Sequence, residues 1–201
     1  MPNLTDLTGL VSIASAASVF MLLLPGMADM TKPRLALLLA AVFVLMLIPF
    51  GGMPLAAYVR GMIGDLSVTT LVLLWCALLQ PWLKQLSQPN KQSRHTLLIL
   101  IALAALALYP MALGVGTFDP YRLGYSNPLF DAALLLIAVT TWFRRFYLVA
   151  LCITLATLSW AIGWYESDNL WDYLLDPWVA IYALAAVVSR VARLKYARVL
   201  P

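Results

Sequence analysis

Hydrophobic residues dominate this chain in long blocks, interrupted at near-regular intervals by short polar stretches. Seven blocks stand out, at roughly 9–26, 35–50, 66–83, 96–113, 129–143, 146–164 and 178–193. Each approaches the length that a helix needs to cross a bilayer core, about 17–25 residues. The blocks lack the strict alternation of half-buried strands. The pattern predicts an all-α, polytopic membrane protein of about seven spans in one domain over 1–201, with no soluble domain.

The linkers alternate in chemistry. Eleven of the 13 basic residues (Lys32, Arg34, Lys84, Lys91, Arg94, Arg144, Arg145, Arg190, Arg193, Lys195 and Arg198) fall on one side of this arrangement, and only Arg60 and Arg122 on the other. Cations are retained on the cytoplasmic face. The expected topology is therefore N-terminus outside and C-terminus cytoplasmic, in a bacterial-type inner membrane. Acids concentrate on the outer side, with Asp29 left among the cations. Trp160, Trp164, Trp171 and Trp178 crowd the same outer boundary, where amphipathic rings suit headgroup depth.

Composition agrees with this picture: 63% of residues are hydrophobic and 11% charged. The net charge of +4 does not indicate a nucleic-acid partner, because the cations are scattered at segment ends and form no basic tract. Cys76 and Cys152 fall inside apolar blocks and read as small buried side chains. "SIASAAS" (12–18) has the small residues of a cleavage site, but the apolar stretch before it is too short for a signal peptide. Ser12, Ser15, Ala16 and Ser18 instead suit close approach of a second helix.

Several chemistries lack their residues. His95, the sole histidine, lies in a basic inner linker, so haem ligation, a Ser/His or Cys/His pair and a zinc cluster have no ligand set. A retinal-type lysine is missing from the last block. "GVGTF" at Gly114 has neither the strand nor the later glycine of a nucleotide loop. No cofactor is expected, no metal is assigned, and an enzyme is the less favoured class.

What remains is the outer linkers. "GDLS" (64–67), "SNPL" (126–129) and "LDPW" (175–178) each open an apolar block. Asp65, Asn127 and Asp176 are the expected helix caps, with proline at the first helical position in two cases. In "DPYR" (119–122), a type I turn brings Asp119 toward Arg122. Arg122 and Arg60, with Tyr121 and Tyr125, form a candidate clamp for an anionic headgroup. Asp119 is a candidate ion-pair acid, and Asp131, just inside the fifth block, a candidate coupling acid. "ESDNLWDYLLDP" (166–177) spaces Asp168, Asp172 and Asp176 by four, predicting a short interfacial helix with Leu170, Trp171, Leu174 and Leu175 on its apolar face. Glu166, Asp168 and Asp172 are weak candidates for a hard cation. "GGMPLAAYVRGMIG" (51–64) is too short to span and reads as interfacial or re-entrant.

The function these features favour is a small accessory or assembly subunit of a larger envelope complex, handling lipid-linked glycans or lipid headgroups. Its partners would be the bilayer and a larger membrane protein or a second copy. A small transporter or flippase is the alternative, and an intramembrane transferase a more distant one.

Overall fold

The computed structural model describes residues 4–83 and 91–199, so Lys84 lies outside the described residues. Nine α-helices run through the described residues: α1 (Leu4–Leu22), α2 (Lys32–Leu47), α3 (Leu55–Ile63), α4 (Val68–Leu79), α5 (Lys91–Ala112), α6 (Pro128–Phe143), α7 (Tyr147–Ala161), α8 (Leu170–Leu174) and α9 (Pro177–Val199). Seven of these lie on the seven apolar blocks. Helix position and helix length part company, however. Among the described residues, only α5, over Lys91–Ala112, and α9, over Pro177–Leu194, are long and apolar enough to cross a membrane. The 12 residues of α4 rise only about 18 Å. In its block residues 66–67 and 80–83 lie outside the helix, whereas the block at 129–143 is helical throughout and simply short, 16 residues making α6.

The core sits where α5, α7 and α9 meet, with Ile101, Ala105, Val149, Cys152 and Ala183 each at most 5% exposed. Alanine and cysteine at these contacts let the helices approach closely. On the other side, α1 packs on α2, α3 and α4. Ser12, Ser15 and Ser18 are buried there, each returning its hydroxyl to the carbonyl four residues earlier at 2.8–3.0 Å. Back-bonding satisfies these hydroxyls without a partner helix. Ser18 also donates to Leu39 O of α2 at 3.3 Å, so the small-residue stripe does join two helices.

The α6–α7 link is as tight as its two arginines imply. Arg145 takes a left-handed φ of 62°, and Phe146 N closes onto Thr141 O at 2.8 Å. Segment 51–64 closes a short hairpin and continues as a helix. Pro49–Phe50 pairs with Met53–Pro54 around Gly51 and Gly52, both at positive φ. α3 then lays Ala56, fully buried, against α1. Tyr58 ties the two parts together by donating to Phe50 O at 3.2 Å and Gly51 O at 3.3 Å.

The largest departure from the sequence pattern is 166–177. The four-residue spacing of the aspartates predicts one helix, but α8 is only five residues long. Asn169 caps it through Trp171 N at 2.9 Å, and the residue before Pro177 resists helical geometry. Asp168 therefore lies before the helix and Asp176 after it, where its expected capping role puts it, and the three acids share no face. α8 turns Leu170 and Tyr173 into the protein, where they are fully buried and packed with Val68 and Ala156 of α4 and α7.

Candidate functional site

The outer linkers converge into a cap built on two carboxylates. The first, Asp176, precedes α9 and is 4% exposed. Its Oδ1 accepts from Trp178 N at 2.8 Å and Val179 N at 2.9 Å, the expected cap geometry for a helix opening on proline. Its Oδ2 accepts from Ser67 N at 2.8 Å, from Ser67 Oγ at 2.7 Å and from the Thr70 hydroxyl. Ser67 is itself the cap of α4, accepting from Thr70 N at 3.2 Å. One buried carboxylate thus serves the positive ends of two helices.

The second carboxylate, Asp172, holds the Pro120–Gly124 turn. Tyr121 donates its hydroxyl to both carboxylate oxygens, at 2.9 and 3.0 Å, and the Ser167 hydroxyl donates to Oδ2. Around this contact, Asn169 Nδ2 reaches Tyr121 O at 2.9 Å and Trp171 Nε1 reaches Pro120 O at 3.0 Å. Burial, together with the hydrogen bond to Asp172, pushes the Tyr121 phenol well above its ordinary value. Tyr165, which donates to Leu66 O at 2.8 Å, is pushed up to about 12, chiefly by burial. Both phenols therefore remain protonated donors at neutral pH.

Beside the two carboxylates lies a cavity of ≈ 530 Å³, lined by Tyr109, Ala112, Tyr121, Trp171, Asp172 and Asp176 among others.

The candidates from the sequence distribute unevenly around this cap. Arg60 is not free for a headgroup: it makes a two-pronged pair with Asp65, Nε to Oδ1 at 2.6 Å and Nη2 to Oδ2 at 2.9 Å. Gly9 of α1 lies directly against this pair. At 19% and 34% side-chain exposure, such a pair contributes about 0–1 kcal/mol. Asp65 is accordingly not the cap of α4, because Ser67 holds that position two residues later.

Asp119 does not pair with Arg122. Its carboxylate accepts from Tyr121 N at 3.0 Å, and the turn closes through backbone, Arg122 N to Asp119 O at 3.3 Å. Capping the turn uses the carboxylate and leaves the Arg122 side chain exposed. The structure does not join Arg60 and Arg122 in one clamp: Arg60 sits on α3 beside α1, and Arg122 on the turn packed against α5 and α8. Tyr125 is exposed, its ring edge-on to Tyr121 at 5.9 Å.

Asp131 lies half-buried in the first turn of α6. Asn127 caps that helix, accepting from Leu129 N at 3.0 Å and Phe130 N at 3.3 Å. Asn127→Ala is expected to lower stability by about 1 kcal/mol, read as a small drop in thermal midpoint. Glu166 and Asp168 are exposed, whereas Asp172 turns inward. Among the described residues no three His, Cys, Asp or Glu side chains are grouped to hold a metal.

Ser67, Thr70, Gly124 and Asn169 are central here but were not singled out by the sequence reading. The local signals were present: a serine directly before a β-branched run, and asparagine two residues before the Trp171 amide that it caps. The outer tryptophans also differ in role from simple headgroup anchors. Trp160, Trp171 and Trp178 each donate the indole N–H to a backbone carbonyl of the cap, at 2.8–3.3 Å.

No protein-family model matches the chain, and neither curated proteins nor solved structures gave a match.

Proposed function

We propose that the protein is a multi-pass subunit of a bacterial inner membrane, with its N-terminus outside and C-terminus cytoplasmic, serving as an accessory or assembly component of a larger envelope complex. The observation that carries this reading is the commitment of three outer carboxylates, Asp65, Asp172 and Asp176, to neighbouring groups of the protein. Asp176 binds two helix starts, Asp172 binds Tyr121 and Ser167, and Asp65 binds Arg60. These are staples that give a shaped, rigid outer face, as a docking subunit requires. Acid–base or nucleophilic chemistry would need a group held ready for a substrate.

Membrane burial is supported by apolar side chains turned outward along the helices. Leu103, Leu106, Leu135, Leu136, Ile181 and Val188 are 59–66% exposed, as suits side chains that face lipid. Short helices such as α4 support a protein neighbour, because a helix below bilayer thickness demands local thinning or association. The partner proposed is a complex that handles lipid-linked glycans or lipid headgroups.

Purification in mild detergent is expected to retain a larger membrane protein in fixed stoichiometry, with a C-terminal reporter active on the cytoplasmic side. Recovery of the protein alone, together with solute movement in liposomes, would replace this reading with the carrier. The cavity is the feature that favours that second reading.

A further inference from the structure

We infer that the outer cavity is a binding site for a small organic cation, an ammonium group of the amine or choline type. Its volume, ≈ 530 Å³, falls within the range usual for small-ligand sites, about 300–1,000 Å³. Its wall combines the aromatic side chains of Tyr109, Tyr121 and Trp171 with the acids Asp172 and Asp176. An ammonium group gains from both, since ring faces and carboxylates present negative potential to the same space.

The charge balance sets the sign of the ligand. Arg60 is taken by Asp65, also at the cavity, so that pair adds no net charge. Asp172 and Asp176 are held by neutral donors: hydroxyls of Tyr121, Ser167, Ser67 and Thr70, and backbone amides. Such donors stabilise a carboxylate without cancelling its charge. The N-termini of α4 and α9, each worth about half a charge, offset Asp176 and leave Asp172 unbalanced. An anionic headgroup would be repelled here, which reverses the polarity expected from Arg60 and Arg122.

The same bonds select among cations and neutral ligands. A hard metal ion strips its ligands and demands open oxygens, yet Asp176 already accepts five hydrogen bonds. A sugar needs spare directional donors and acceptors, and most of those in the wall are spent. An ammonium group needs only field and ring faces. Tyr109 lines the cavity and its hydroxyl makes no hydrogen bond among the described residues, so it is left to meet the occupant.

The ammonium can belong to a free amine or to a lipid headgroup, and the experiment separates the two. Purified protein in nonionic detergent is titrated with tetramethylammonium and choline chloride at constant ionic strength, followed by tryptophan fluorescence and calorimetry. Saturable binding is expected, absent with sodium chloride. Asp172→Asn should weaken it roughly tenfold or more, as expected when one partner of a charge pair is lost.

Ala112→Trp fills the cavity from an exposed position and touches none of the hydrogen bonds. It should weaken binding similarly with an unchanged thermal midpoint. In nanodiscs, competition by phosphatidylcholine but not phosphatidylglycerol assigns a lipid-borne headgroup, and choline binding unaffected by either assigns a free amine. A folded wild type with no saturable response, or equal affinity in wild type and Ala112→Trp, overturns the site. Soluble ligand in detergent involves neither partner nor topology, so that failure leaves the subunit reading intact.

Discussion

Asp176→Ala is expected to destabilise the protein by about 2–4 kcal/mol. The change removes the acceptor for two amides at the start of α9 and for three donors of Ser67 and Thr70 on α4. Each donor left dry would cost about 1–3 kcal/mol, and water entering from the adjacent cavity recovers part of that. Asp176→Asn keeps one carbonyl oxygen for the α9 cap but sets an NH2 group against the Ser67 and Thr70 donors. It should recover only the cap share, about 1 kcal/mol. Unfolding in detergent, followed by thermal midpoint or by circular dichroism in denaturant, measures both. Adding Ser67→Ala gives a double-mutant cycle with an expected coupling of at least about 1 kcal/mol. Strict additivity would mean that α4 and α9 do not share the carboxylate.

Gly124→Ala is the second large effect, and its origin is contact rather than backbone freedom. A Cβ there would stand 1.7 Å from Asn169 Oδ1 and 2.9 Å from Trp171 Cδ1. Both neighbours are fixed: Asn169 bonds Tyr121 O and Trp171 N, and Trp171 bonds Pro120 O. Relief requires the Pro120–Gly124 turn to lift from α8, breaking these bonds. The expected cost is about 1–3 kcal/mol, with a change in tryptophan emission as Trp171 loses its setting. Gly61→Ala on α3 is the control, since a Cβ there meets nothing within 4 Å. It should be neutral or stabilising by up to about 1 kcal/mol. Equal behaviour of the two variants would contradict the tight contact at Gly124.

These two positions also mark how far the sequence could be read. Helix positions were legible because apolar blocks and polar breaks are local: α6 begins where "SNPL" places its cap, and α9 where "LDPW" does. Helix lengths were less so. Residues 66 and 67 are apolar and small enough to extend a block, yet Ser67 spends its side chain and amide on a distant carboxylate and starts α4 there. The acids at 168, 172 and 176 have helical spacing, but Asn169 and Pro177 cut that helix to five residues. Spacing alone does not include such local competition from asparagine and proline.

The candidate site was legible by region only. The outer face, Tyr121, Asp172 and Asp176 could be named from composition. Their partners, Ser167, Ser67 and Asn169, are small polar residues whose role exists only once distant segments meet. The anion clamp failed for the same reason. Arg60 has its partner, Asp65, five residues away, whereas Asp119 prefers the nearer amide of Tyr121 to the side chain of Arg122.

The shared carboxylate also sets a timetable. Ser67 and Asp176 are separated by 109 residues. At about 5–20 residues per second, roughly 5–20 s of synthesis separate the two. Until Asp176 emerges, the start of α4 has only its own serine as cap, and Thr70 and the Ser67 amide lack their final acceptor. The first half of the chain therefore reaches its finished outer face only when the last helix begins.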